Sequence, residues 1–156
     1  MAGLGSSPPP KGRADRTQMI RHQGGMTGSA LIFGASGGIG AALADATEAA
    51  GYGPVFRFSR QAGDFDLTDE ASIAACVARA AEGGPPALVI VATGLLSRND
   101  KRPERAIREI DAAWMAENFA INAIGPALIA KHVAPHLPKD GRSVLAFLSA
   151  RVGSIS

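Results

Sequence analysis

The stretch Gly34-Ala35-Ser36-Gly37-Gly38-Ile39-Gly40 separates an apolar run at residues 30–33 from a helical pattern at 38–50. A strand that turns sharply into a helix needs glycine at the turn, where a Cβ would obstruct the bend or hold the helix away from the strand. Gly38 and Gly40 also let a pyrophosphate approach the backbone, while the unpaired N–H groups of a helix start face its oxygens. An anionic dinucleotide is the expected ligand of the turn formed by Gly34, Gly37, Gly38, Ile39 and Gly40. The spacing is Gly-x-x-x-Gly-x-Gly, not Gly-x-Gly-x-x-Gly, and no Gly-Lys-Ser/Thr follows, which disfavours a nucleoside triphosphatase or kinase.

Outward from the turn, apolar runs alternate with helical patterns. Residues 54–58 read as a second strand and 63–66 as a very short one. Thr68, with Asp69 and Glu70, supplies an N-cap and an acidic first turn to a helix. Its apolar face is Ile73, Cys76, Val77 and Ala80, and Gly83 and Gly84 end it. Residues 87–91 are a fully apolar strand, 110–136 a long helical segment and 143–148 a further apolar run. Such alternation, with buried strands, specifies an α/β fold built on a doubly wound parallel sheet of Rossmann type.

Two regions differ in character. Residues 1–28 hold Pro8, Pro9 and Pro10, much Gly and Ser, and no apolar period, which predicts a disordered leader or a translation start placed upstream of a true one at Met26. Lys11, Arg13, Arg16 and Arg21 against Asp15 give that segment its positive charge. The remainder carries 12 basic and 13 acidic residues, so residues 29–156, the expected dinucleotide-binding domain, have no overall attraction for nucleic acid or anionic lipid. The longest apolar stretch, residues 87–96, is far short of the ~18 residues of a membrane span, and the chain start lacks the apolar core of a secretory signal. A cytoplasmic protein is expected. Cys76 reads as a small core residue, and His132 and His136, interrupted by Pro135, as helix-end charges rather than metal ligands.

The ordered motifs Gly34 to Gly40, Asp66-Leu67, Gly94 after the apolar strand, and Asn122-Ala123-Ile124-Gly125-Pro126 resemble those of the short-chain dehydrogenases/reductases. The segments Val91-Ala92-Thr93-Gly94-Leu95-Leu96 and Ser149-Ala150-Arg151-Val152-Gly153-Ser154-Ile155 resemble most the C-factor and sniffer-type carbonyl reductase branch. The resemblance implies that Ser36 helps hold the phosphates, Asp66 and Leu67 border the adenine, and Ala92 and Gly94 lie near a ribose. It implies an Asn, matched by Asn122, that anchors a water relay, and a Ser that orients the substrate carbonyl, matched by Ser149 or Ser154. After the second strand stands Ser59-Arg60, with no carboxylate to bind a ribose 2′-OH, so NADP(H) is favoured over NAD(H). Arg60 as an ordinary solvated charge, and Asn122 as an amide bonded only to backbone, are the plain alternatives.

The family's Tyr-x-x-x-Lys pair, which supplies the proton, does not occur: the single tyrosine, Tyr52, has Phe56 four residues on. The expectation is an N-terminal portion of an NADP(H)-dependent carbonyl or alcohol oxidoreductase. It would be inactive by itself, incomplete at the C-terminal edge of its sheet, and exposed along residues 144–148. A homo-oligomer is expected of the full-length protein. The rival expectation is a non-catalytic nucleotide-binding signalling or interaction module resembling C-factor.

Overall fold

The computed structural model of this chain describes residues 28–63 and 65–150. In chain order its main elements are β1 (Ser29–Phe33), α1 (Gly38–Ala49), β2 (Val55–Phe58), α2 (Glu70–Ala81), β3 (Pro86–Val91), α3 (Ala112–Phe119), α4 (Gly125–Val133) and β4 (Val144–Phe147). The four strands are all parallel, in the order β2-β1-β3-β4. The chain therefore winds from β1 outward to β2 and then crosses back over β1 to β3. The reversal lies between β1 and β3, and in such sheets the crevice outside the strand C-termini at that point receives the ligand.

Side chains alternate across the sheet and divide the core in two. Leu31, Phe33, Val89 and Val91 point to one face, where Ile73, Cys76, Val77 and Ala80 of α2 and Ile129 and Val133 of α4 cover them. Phe58 stacks on Phe33 at 4.9 Å between ring centres, and Phe65 closes the same cluster. Ile32 and Ile90 point to the other face and meet Ala35 and Ala44 below α1. Cys76 is a buried member of the larger cluster, as its place in the helical pattern predicts.

The boundaries differ from expectation in three places. Asp69, not Thr68, caps α2, its carboxylate accepting from the Ala71 N–H at 2.9 Å. Thr68 is engaged elsewhere, donating both its amide and its hydroxyl to Asp66 Oδ1 at 2.8 and 2.7 Å. No strand forms among the described residues of 63–66; Gly63 instead ends a 3-10 turn, Arg60–Ala62, with φ +75°. The helical segment expected at 110–136 is composite: a π-helical stretch, Ala120–Ile124, separates α3 from α4, and short 3-10 turns precede α3 at Ile107–Glu109 and follow α4 at Ala134–His136.

β4 pairs only with β3 among the described residues and forms one edge of the sheet, with Val144, Phe147 and Leu148 each more than 40% exposed. That apolar edge matches the expectation for residues 144–148. No helix among the described residues is long and apolar enough to cross a membrane. His132 Nε2 lies 2.9 Å from Glu70 Oε1, which also accepts from Lys131 Nζ at 2.6 Å, tying α4 to the start of α2.

Candidate dinucleotide groove

Every strand ends in residues that the sequence marks as candidates: Gly34 follows β1, Ser59-Arg60 β2, Ala92 to Leu95 β3, and Ser149 β4. They gather on one rim because the strands are parallel. At the end of β1 the backbone turns at Gly34, with φ +86°, and a Cβ there would lie 2.9 Å from the Ala92 carbonyl. The Gly34 and Ala35 amides both donate to the Phe58 carbonyl, at 2.9 and 3.1 Å, so the turn is fastened to β2.

The two later glycines do different work. A Cβ on Gly40 would stand 2.2 Å from the Gly34 carbonyl oxygen, so Gly40 lets α1 lie against the turn and is itself buried. A Cβ on Gly38 would meet nothing within 4 Å, so Gly38 faces open space. No side chain caps α1, whose N-cap is Gly37, so its first-turn amides have no side-chain acceptor, the arrangement of an anion-binding helix start.

A cavity of about 420 Å³ runs from this turn over the end of β2. Gly34, Ser36 and Gly37 line one side; Arg60, Asp66, Leu67 and Thr68 line the other. Ser59 holds the first of these in place, its Oγ accepting from the Ala62 N–H at 3.3 Å to cap the short turn that begins at Arg60. Asp66 is fixed by its own amide donating to Ser72 Oγ at 2.9 Å. The Thr68 amide, then the Thr68 hydroxyl, hold the Asp66 carboxyl below the usual carboxylate range, with the Arg60 charge adding to this. Leu67 is seated against Gly125, where a Cβ would approach its Cγ to 2.5 Å.

A second cavity, of about 650 Å³, continues across Ala92, Thr93, Gly94 and Leu95 toward β4 and is lined by Ile39, Asn122 and Ser149. Asn122 sits in the π-helical stretch, a local widening of a helix that recurs at functional sites. Its Oδ1 accepts from the Leu95 N–H and its Nδ2 donates to the Leu95 carbonyl, both at 2.7 Å. The amide expected to need a partner thus finds backbone. The apolar neighbours Met115 and Phe119 stay 38% and 58% exposed.

No protein-family model matches the sequence, and the comparison with curated proteins finds no match. Solved structures do match. A carbonyl reductase from Pseudomonas aeruginosa PAO1 superposes with a TM-score of 0.68 at 28% identity, covering 83% of this chain and 64% of its own. A small-chain dehydrogenase in complex with NADPH gives 0.60 at 26%, covering 72% and 47%. In fold, and at 26–28% sequence identity, this chain is similar to solved short-chain dehydrogenases and carbonyl reductases. An NADPH-bound carbonyl reductase from chicken fatty liver, at 24% identity and a TM-score of 0.57, shares the fold. The chain spans about half to two thirds of the length of these solved structures.

In this chain the candidate residues fall into two groups on one groove. Gly34, Ser36, Gly37, Arg60, Asp66, Leu67, Ala92 and Gly94 line the first cavity, and Ala92 and Gly94 join Ile39, Asn122 and Ser149 in the second. Gly38 borders the open space over the helix start, whereas Gly40 packs against the Gly34 carbonyl, as the close approach of helix to strand requires, and lines neither cavity. Ser154 lies outside the described residues, as do residues 1–27 of the expected leader at 1–28. The lining residues that the sequence reading did not mark as site residues include Phe65, Thr93, Arg98, Glu117 and Ile121. Arg98 and Glu117 form an ion pair across the cavity rim, 19 residues apart in the chain, and no local pattern announces it.

Proposed function

We propose that this chain is the dinucleotide-binding portion of an NADP(H)-dependent oxidoreductase that acts on a small carbonyl or alcohol substrate. The observation that carries the reading is the continuity of the two cavities through Ala92 to Leu95, with Arg60 at one end and Asn122 and Ser149 at the other. The residues present fit a dinucleotide: Gly38 leaves room for a pyrophosphate over uncapped helix amides, and Arg60 on the same cavity would pair with a 2′-phosphate. When bound, the nicotinamide supplies hydride chemistry at its C4.

The roles then divide along the groove. Ser36 and the first amides of α1 hold the phosphates, Arg60 pairs with the 2′-phosphate, Asp66 and Leu67 border the adenine, and Ala92 and Gly94 take the inner ribose. Asn122, its amide committed to Leu95, anchors the water relay through the helix turn it occupies, and Ser149, or Ser154, orients the substrate oxygen. Proton donation belongs to a Tyr and Lys pair that these 156 residues do not include. We assign the full-length protein to the sniffer-type branch, as a homo-oligomer in the cytoplasm, on the motif resemblance.

NADPH consumption with a panel of aldehydes and ketones, measured on the complete product of the gene, tests the assignment. Turnover that is lost when the family's Tyr is replaced by Phe supports it. NADPH binding with no turnover of any carbonyl leaves the nucleotide-binding interaction module as the function.

A further inference from the structure

The Arg98–Glu117 pair stands on the wall of the first cavity, which Arg60, Leu67 and Ile121 also line. The loop that carries Arg98 is built to hold it there. Arg98 and Lys101 exchange backbone hydrogen bonds at 3.1 and 3.0 Å, closing a tight turn in which Asn99 takes φ +52°. Lys101 in turn pairs with Asp111, the N-cap of α3, while Glu117 comes from the last part of the same helix. Two ion pairs therefore fasten the turn to one rigid element.

Glu117 takes an edge nitrogen of the guanidinium, and hydrogen bonds to a guanidinium lie in its plane. That leaves the flat face and the Nε and Nη2 edge open to a ligand, on a group whose charge the carboxylate balances. A cation so neutralised is a poor partner for a phosphate dianion and a good surface for a planar ring. Leu67 and Ile121 add apolar area on the same cavity.

We infer that Arg98, held edge-on by Glu117, is a positioning residue on whose guanidinium face the purine ring of the dinucleotide lies. The inference rests on the proposed nucleotide binding and adds a division of labour to it. Arg60 distinguishes the two dinucleotides, whereas Arg98 grips the base that they share.

The test is direct titration of the protein with NADPH and with NADH, following intrinsic reduced-nicotinamide fluorescence. Replacing Arg98 with Ala weakens both ligands by the same factor, about fivefold. Arg98→Lys, which keeps the charge beside Glu117 but has no flat face, suffers the same loss, and Arg98→Tyr, which has a face and no charge, recovers most of it. A loss confined to NADPH, or a full rescue by Lys, overturns the stacking role in favour of charge; unchanged affinity in all three variants overturns it outright. A wild-type protein that binds neither dinucleotide overturns the nucleotide reading itself, and the inference with it.

Discussion

Asn122 holds Leu95 by both ends of its amide, Oδ1 accepting from the N–H and Nδ2 donating to the carbonyl, each at 2.7 Å. The two residues are 27 apart in sequence, and the bond pair joins the loop after β3 to the π-helical stretch between α3 and α4. Gly94 and Leu95, which both cavities share, take their position from it.

Replacing Asn122 with Leu removes both bonds and leaves the Leu95 groups to water. Because the contact is partly exposed, the expected loss is about 1–2 kcal/mol of stability. Urea denaturation measures it. Asn122→Asp, which keeps only the acceptor, should fall between the two proteins.

The glycines of the turn separate into structural and ligand-facing positions, and alanine distinguishes them. Gly40→Ala drives a Cβ to within 2.2 Å of the Gly34 carbonyl and should destabilise the fold by about 2 kcal/mol or more, read as a lower urea midpoint. Gly38→Ala meets no protein atom, so its stability should hold or rise by a few tenths of a kcal/mol from helix propensity, while NADPH affinity falls. Equal stability losses in both variants would contradict the division.

Much of this arrangement is legible in the sequence, and the exceptions have physical causes. β1 and α1 are readable because a short apolar run, a glycine turn and a helical period follow one another without ambiguity. The α2 cap is displaced by one residue because Thr68, a good capping residue in isolation, is drawn to Asp66 Oδ1. The π-helical stretch leaves the apolar spacing around Asn122 nearly helical, so a continuous helix is the natural reading of 110–136. Arg98 and Glu117 meet only because the loop folds back on α3, and that contact has no sequence period.

Arg60 tests cofactor choice. Its replacement by Ala should weaken NADPH binding about tenfold, the scale of one lost charge-assisted contact, and leave NADH binding unchanged. Equal effects on the two ligands in a binding titration would make Arg60 an ordinary surface charge.

Asp66 links the groove to pH. Its carboxyl is held below the ordinary range, so the stability it contributes is present above the unfolded-state value and is lost as pH falls through the folded one. Wild-type protein should exceed Asp66→Asn in urea midpoint at pH 7, with the gap closing below about pH 4. A gap independent of pH would show that the Thr68 bonds hold the neutral form equally well.

The most direct measurement of the central claim is a titration of the wild-type protein with NADPH and NADH under one set of conditions. Saturable binding of one dinucleotide per chain, tighter for NADPH, is the predicted result. Failure of both to bind would contradict the dinucleotide groove, and tighter binding of NADH would contradict the role given to Arg60.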